Sequence, residues 1–175
     1  LRSRVSNESC NLAMREMFGS KLDSSKMGKR TKSAVALISN AIAEKRLDLA
    51  KEANNLAEKV LTATGVKVKA SDRAGADKGS AATEYLIFIA NREVEQLADI
   101  AIAAFDEGKD PSKLKKEVAA VFHGKQAIDI ACFGRMLADA PDLNTDASAQ
   151  VAHAFSIDQI TPEYDYFTAV DDLSL

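Results

Sequence analysis

Apolar residues recur at helical spacing over most of the chain, and this pattern predicts a largely helical protein. The expected helices cover residues 6–18, 31–45, 48–64, 91–107 and 111–123, with a short small-residue helix over 146–154. Ser6 or Asn7 is a suitable N-cap for the first helix. Glycines of the kind that end helices follow three of them: Gly19, Gly65 and Gly108. The helix over 91–107 is expected to turn five apolar side chains inward: Val94, Leu97, Ile100, Ile102 and Phe105.

Short apolar runs without helical spacing predict the strands. Tyr85–Ile89 is suited to a buried strand, and residues 66–68 favour a short strand. Ala127–Phe133 is a further apolar run that predicts a strand, and Gly134 follows it. Residues 69–80 are expected to form a mobile loop, and residues 156–175 are expected to be extended. The predicted fold class is α+β, mostly helical by residue count. Because strands need partners, the few strands found here make a sheet that is hard to complete within this chain.

The composition is that of a globular protein. The chain has 175 residues, 46% hydrophobic and 28% charged, which is enough for one domain with a core. No apolar run is long enough to cross a bilayer. The first residues include no initiator Met and no signal-peptide pattern, so the chain is expected to start mid-sequence. Cys10 and Cys132 form no Cys-x-x-Cys pair, which favours reduced thiols in a cytoplasm.

The net charge of −3 conceals a division along the chain. Residues 1–80 carry 16 Lys/Arg and 9 Asp/Glu, a net of +7, and the remainder has a net of −10. Cations at that density can neutralise phosphates, but a solvated face of ordinary helices is the commoner explanation. The asymmetry alone therefore does not predict nucleic-acid binding.

Catalytic chemistry has little support in the sequence. A divalent metal site would have to be built from Asp171, Asp172, His123 and His153, but no His-x-x-x-His pair or second acidic cluster brings them together. The motifs of a nucleophile elbow and of a phosphate-binding loop are absent from the sequence. We therefore predict a protein that is not an enzyme and that carries neither a metal nor another cofactor.

Two short segments are candidates for contact with nucleic acid. In the first, Arg135 follows Gly134 and can meet a phosphate, while Met136 can act as an apolar wedge between bases. In the second, Phe167 lies beside Thr168 and offers a ring for base stacking, worth about 1–3 kcal/mol per stacked base. The plain alternative, a core methionine and a core aromatic residue, is the one that these residues alone favour.

Four segments in a fixed order carry a resemblance to a known family. They are Asp129-Ile-Ala-Cys-Phe-Gly-Arg-Met136, Pro141-Asp-Leu-Asn-Thr-Asp-Ala147, Ala149-Gln-Val-Ala-His-Ala154 and Asp165-Tyr-Phe-Thr-Ala-Val-Asp-Asp-Leu173. Together they resemble the backbone subunit of the type I-E CRISPR Cascade complex, called CasC, of the Cas-seven family in the RAMP superfamily. Residues 2–15 are similar to that family's early basic segment and the helix that follows it.

The resemblance implies a right-hand-shaped subunit with an RRM-like palm, an inserted helical fingers domain and a thumb hairpin. The organisation expected on this basis is a palm segment and first helix at 1–18, a helical fingers region at 19–124 with a short strand near 84–90, a palm strand and helix at 125–155, and the start of the thumb at 156–175. The match begins after the family's first palm strand and stops inside the outgoing thumb strand. The chain is therefore expected to be a partial copy.

The resemblance also implies which residues bind RNA. The implied set is Arg4, Ser6, Arg15, Met136, Phe167 and Thr168, with Met136 and Phe167 packing against bases on either side of a kink in the guide. Arg135, a candidate from the residues themselves, completes the predicted RNA-binding set. Glu8, Asn11 and Leu12 depart from the family pattern, because they replace a neutral polar residue and two cations. Contact with phosphates at this helix is therefore expected to be weak.

The expected function is binding of CRISPR RNA without base specificity and its presentation to target DNA. The expected partners are other Cascade subunits and further copies of this chain along the guide, in the cytoplasm and away from any membrane. The alternative is a truncated helical interaction module or remnant that no longer binds RNA. A metal-dependent nuclease using Asp171 and Asp172 is the least favoured possibility.

Overall fold

The computed structural model describes residues 13–17, 21, 23–70, 81–150, 152, 155, 157–159, 161 and 171–173. Within them the helices are α1 (13–17), α2 (Ala34–Lys45), α3 (Ala53–Thr62), α4 (Asn91–Asp106), α5 (Lys115–Phe122) and α6 (Ile128–Phe133). The strands are β1 (Gly28–Thr31), β2 (Val68–Ala70), β3 (Ala81–Thr83) and β4 (Ile87–Ala90). Helices and two small antiparallel sheets make an α+β fold, as the sequence predicted.

β1 and β4 form a two-stranded antiparallel sheet in which Gly28 lies opposite Ala90. All four residues of β4 are buried. Because successive side chains of a strand point to opposite faces, Ile87 and Ile89 face one side while Phe88 and Ala90 face the other. The two pairs accordingly belong to two separate apolar clusters.

Helices α2, α3, α4 and α5 pack together over the face that carries Ile87 and Ile89. The apolar face of α2 repeats every three to four residues and is buried: Ala34, Val35, Ile38, Ala41 and Ile42. α4 turns Leu97 and a row of alanines inward. Phe105 is 44% exposed, so its predicted inward position is wrong. Its neighbour Ala104 takes that place in the core.

β1 was not predicted, because its Gly-Lys-Arg-Thr sequence lacks the apolar residues typical of a strand. Its pairing with β4 makes α2 begin three residues later than expected, at Ala34. Thr31 has its side chain buried, and its Oγ1 accepts the Ser33 N–H at 2.9 Å in the turn between the two elements. The strand therefore exists through its partner and not through its own propensity.

β2 and β3 pair antiparallel, with Val68 opposite Thr83. The strand expected at 66–68 is thus found at Val68–Ala70, and β3 was not predicted. Residues 71–80 of the predicted loop lie outside the described residues, as do most of residues 156–175. The first predicted helix is helical at the residues that are described, 13–17.

Residues 128–133 form helix α6 where the sequence predicted a strand. Ala127 is extended, the helix follows it for six residues, and Gly134 ends it with φ 77°. Ile130 is fully buried and packs in the cluster that contains Phe88, on the second face of the β1–β4 sheet. The prediction failed because a short apolar run fits a buried helix as well as a buried strand.

The predicted small-residue helix does not form over residues 146–150. The Ser148 N–H donates to the Ala131 carbonyl at 3.0 Å, and the Ala149 N–H donates to the Cys132 carbonyl at 2.9 Å. Carbonyls in the last turn of a helix have no partner within it. The segment therefore gives its donors to the end of α6 and does not make a helix of its own.

Candidate nucleic-acid interface

A closed loop from Gly134 to Thr145 follows α6, and we name it the 134–145 loop. Its ends are joined by a pair of backbone hydrogen bonds between Arg135 and Thr145, each 2.9 Å long. Inside it, the Leu137 N–H donates to Asn144 Oδ1 at 2.7 Å. The loop is held by its own backbone and by a side chain that spans it.

Met136 lies at the outer surface of the 134–145 loop and is 49% exposed. Its neighbours on both sides are buried, with Arg135 at 4% exposure and Leu137 at 2%. Side chains that alternate between buried and exposed positions are typical of an extended segment. The two buried neighbours therefore hold the backbone of Met136 so that its thioether side chain projects outward.

Arg135 points inward and its side chain has no exposed surface. Its guanidinium Nη1 donates to both carboxylate oxygens of Glu93, at 2.7 and 2.8 Å, and Nη2 donates to the Phe122 carbonyl at 3.1 Å. The guanidinium also lies 4.8 Å from the centre of the Phe122 ring, within cation–π range. An RNA phosphate would have to displace these partners before it could reach Arg135.

Glu93 lies in the first turn of α4 and is 1% exposed. Besides Arg135, its carboxylate accepts the Ala90 N–H at 2.8 Å, which ties the end of β4 to the start of the helix. Burial raises the pKa of Glu93, and the positive charge and hydrogen bonds of Arg135 act in the opposite direction. The ionised form of this carboxyl thus depends on its arginine.

A second cluster covers the edge of β1 that does not face β4. The cluster consists of three carboxylates, which we name the β1 carboxylates: Asp129, Asp171 and Asp172. They accept the backbone N–H groups of alternate residues at 2.8–3.0 Å: Gly28 to Asp129, Arg30 to Asp172 and Lys32 to Asp171. Alternate N–H groups of an edge strand have no partner within its own sheet, and here these carboxylates accept them. The Asp172 N–H in turn donates to the Arg30 carbonyl at 2.7 Å.

Arg15 of α1 joins this cluster. Its guanidinium donates to Asp129 at 2.9 Å, to Asp172 at 3.1 Å and to the Gly28 carbonyl at 2.6 Å. Burial acts to lower the pKa of Arg15, but the hydrogen bonds to Asp129 and Asp172 outweigh it and the pKa is raised. The side chain is 26% exposed, so an RNA phosphate at this position would have to compete with two carboxylates.

The Phe88 ring lies beside both arginines of this region. The guanidinium of Arg30 is 4.8 Å from the ring centre and that of Arg15 is 5.9 Å away. A Cβ at Gly28 would come within 2.6 Å of the Phe88 ring. Gly28 therefore lets the ring and the guanidinium groups pack against β1.

Nearly the whole chain matches one protein family. A family model described as CT1975-like protein matches residues 1–174. The chain belongs to the CT1975-like protein family. Comparison with curated protein sequences gave no match.

Two solved structures are similar in fold to this CT1975-like chain. A chain of a CRISPR RNA-guided surveillance complex has a TM-score of 0.59 and 23% identity, over 89% of this chain and 46% of that one. A chain of a pre-nicking CRISPR RNA-guided surveillance complex has a TM-score of 0.62 and 25% identity, over 97% of this chain and 47% of that one. The CT1975-like chain thus spans about half the length of the two solved chains.

These comparisons confirm the predicted resemblance to the level of a Cascade-type protein. Assignment to the type I-E backbone subunit is finer than they reach and stays a prediction. The predicted RNA-binding residues Arg4, Ser6, Phe167 and Thr168 lie outside the described residues of this CT1975-like chain. Of the others, the structure exposes Met136, whereas Arg15 and Arg135 have internal partners.

The residues considered for a nuclease have other roles in this CT1975-like chain. Asp172 accepts the Arg30 N–H of β1, Asp171 accepts the N–H of Lys32 just after β1, and His123 follows the end of α5. Among the described residues no group of three or more His, Cys, Asp or Glu side chains is arranged to hold a metal ion. His153 lies outside the described residues. Among the described helices, none is long and apolar enough to span a membrane.

The sequence analysis missed Glu93, on which the cluster around Arg135 depends, and Asp129, on which the cluster at the edge of β1 depends. Glu93 stands at the third position of a helix that follows a strand, where a carboxylate commonly accepts a backbone N–H, so a local signal existed. Asp129 interrupts an apolar run, which marks a buried polar residue with a partner. Neither signal names the partner, because Arg135 and Gly28 lie 42 and 101 residues away in sequence.

Asp129→Asn is expected to destabilise the CT1975-like chain by about 2–3 kcal/mol, because the side chain is fully buried and accepts charged and backbone hydrogen bonds. The amide keeps one acceptor oxygen and turns an NH2 group towards donors. Asp142→Asn changes an exposed carboxylate in the same way and is the control. Urea unfolding of both variants measures the difference, and equal stabilities would show that the Asp129 carboxylate contributes little.

Proposed function

We propose that this chain is a guide-RNA-binding backbone subunit of a type I-E-like CRISPR surveillance complex. The supporting observation is the likeness over 97% of this chain to a chain of a CRISPR RNA-guided surveillance complex. Membership of the CT1975-like family over residues 1–174 supports the same assignment. In this proposal the chain contacts the sugar-phosphate backbone of the guide RNA, does not recognise base identity, and is not an enzyme.

The proposed parts follow from this assignment. Residues 19–124, which include the β1–β4 sheet and the helices α2 to α5 packed on one of its faces, are the proposed fingers, and α6 on the other face belongs to the proposed RRM-like palm. Met136 contacts the guide bases as an exposed apolar side chain on a loop with fixed ends. Other subunits of the complex, target DNA and further copies of the chain are the proposed partners, and the cytoplasm is the proposed location.

The test is binding of the chain to a labelled CRISPR repeat-spacer RNA across a salt series, with size exclusion of the mixture. We expect binding that weakens with salt and assemblies that grow along the RNA, because neutralised phosphates release counterions. Arg4→Ala is expected to reduce the slope of log affinity against log salt by about 0.7, the value for one lost phosphate contact on a single strand. Lys51→Ala, which removes an exposed cation from the turn before α3, is the control and should leave the slope unchanged.

Met136→Ala is expected to act differently from Arg4→Ala. It should leave the salt slope unchanged and alter the stacking of the bases it contacts, which 2-aminopurine fluorescence in the guide reports. Met17→Ala removes another exposed methionine and is the matched control. A chain that stays monomeric and binds no RNA at low salt would instead support the helical interaction module, for which the internal pairing of Arg15 and Arg135 is the favouring observation.

A further inference from the structure

The Glu93–Arg135 pair connects three elements that are far apart in sequence. Glu93 belongs to the first turn of α4 and holds the Ala90 N–H, Arg135 begins the 134–145 loop, and the Phe122 carbonyl at the end of α5 accepts the second Arg135 nitrogen. Arg135 Nη1 also lies 3.4 Å from the Phe88 carbonyl of β4. One side chain thus fixes the loop to the sheet and to two helices.

We propose that Glu93 and Arg135 are positioning residues, which hold the 134–145 loop so that Met136 is presented in one orientation to the bases of the guide. The inference rests on the proposed function. It changes the part played by Arg135 from a phosphate contact to the internal support of the residue next to it. It also gives Glu93 a role in RNA recognition that its buried position, 1% exposed, would not indicate by itself.

The physical reason lies in the flexibility of methionine. Its side chain has three rotatable bonds, so a definite contact requires that at least its backbone be fixed. Here the backbone is fixed on one side by the Arg135 side chain and its bonds to Thr145, and on the other by the buried side chain of Leu137 and its bond to Asn144. A contact held in advance loses less conformational freedom on binding than a mobile one.

A purely structural role for the pair makes a different prediction. In that case a substitution in the pair lowers stability and leaves the surroundings of Met136 in the folded chain as they were. A positioning role requires that the Met136 methyl group change its environment or mobility while the rest of the core stays intact. The two roles are therefore separated by a measurement on Met136 and not by stability.

The measurement is NMR of the whole chain labelled with ¹³C in the methionine methyl groups. The chain has four methionines, so Met14, Met17, Met27 and Met136 give one signal each. Glu93→Gln keeps the size of the side chain and one acceptor. Arg135→Lys keeps the charge but lacks the planar fork whose two nitrogens bind Glu93 and the Phe122 carbonyl. Ile42→Val, a mild change in the α2 core, is the control for lost stability.

We expect both pair variants to shift or broaden the Met136 signal, whereas Met27, which is 9% exposed, keeps its position and shows that the chain is folded. In the unmodified chain, CRISPR repeat-spacer RNA should shift the Met136 signal, and this RNA-induced shift should be lost in both variants and kept in Ile42→Val. Glu93→Gln is the milder change, so it remains informative if Arg135→Lys does not fold.

An unaltered Met136 signal and RNA-induced shift in Glu93→Gln would overturn the positioning role and leave the proposed function in place. Absence of an RNA-induced Met136 shift in the unmodified chain would also overturn it, because there would be no contact to position. Failure of the proposed function itself is read separately, from the salt series, as absence of any RNA binding.

Discussion

Arg135→Met is expected to lower the free energy of unfolding by about 3–5 kcal/mol, the usual loss when one partner of a buried ion pair is removed. The substitution keeps a long apolar stem in place of the arginine stem but leaves the Glu93 carboxylate buried without its cation. It also removes the Arg135 donor, at 3.1 Å, from the Phe122 carbonyl, which keeps the Gln126 Nε2 donor at 2.7 Å. Urea unfolding at neutral pH measures the loss.

The same substitution is expected to make stability depend on pH. Burial raises the pKa of Glu93 and Arg135 opposes it, so without Arg135 the folded-state pKa rises further above the ordinary value of about 4.3. A raised pKa means that the folded chain holds a proton that the unfolded chain has released. Stability of Arg135→Met should therefore fall as pH rises from about 4.3 through the folded-state pKa, and return in part as pH is lowered.

Two variants serve as controls for this result. The double variant Glu93→Gln with Arg135→Met has no carboxyl to titrate and should lack the added pH dependence while recovering part of the lost stability. Arg46→Met removes a partly exposed arginine paired with Asp48 and Asp106, and should stay close to the unmodified chain. A pH profile of Arg135→Met parallel to that of the unmodified chain would show that Glu93 is not the group responsible.

The helices that the sequence predicted well are those with a long periodic apolar face. α2 and α4 bury residues at intervals of three and four, and each is long enough that no strand fits the same pattern. Gly108, with φ 66°, ends the α4 region as predicted: the Lys109 N–H donates to the Ala104 carbonyl at 2.8 Å. These elements are determined locally, so their existence could be predicted from the chain alone.

The elements that were missed depend on partners distant in sequence. β1 is a strand because β4 pairs with one edge and the β1 carboxylates bind the other, and neither fact is visible in its basic sequence. α6 was predicted as a strand because six apolar residues carry too little periodicity to decide. Tertiary contact with Phe88 and the sheet settles its packing.

The Gly-Arg-Met segment was singled out from the sequence as a candidate RNA contact, and that role stays a prediction. In the structure Met136 is the exposed residue of the three. The direction of Arg135 could not be read from its neighbours, since an arginine after a glycine more often faces water. Its burial depends on Glu93 in α4, and a single sequence gives no sign of that pairing.

Gly134→Ala is expected to be among the most damaging single-atom additions to the chain. Gly134 has φ 77° and ψ 171°, a backbone region that is almost restricted to glycine and costs other residues about 1–3 kcal/mol. A Cβ there would lie 2.8 Å from the Thr145 carbonyl oxygen and 3.1 Å from the Ala147 nitrogen. Both are backbone atoms, so the strain is not relieved by rotating a side chain, and we expect a total loss on the order of 3 kcal/mol.

Gly108→Ala is the matched control, because Gly108 also has a positive φ, 66°, but a Cβ there would meet nothing within 4 Å. It should lose only the conformational preference of glycine, about 1 kcal/mol. The difference between the two variants in urea unfolding therefore measures the close approach of residues 145–147 to Gly134. Equal losses would mean that the 134–145 loop moves away from the new methyl group at little cost. A loop that moves so easily could not fix the position of Met136 against stacked bases, and this result would argue against the positioning role of Arg135.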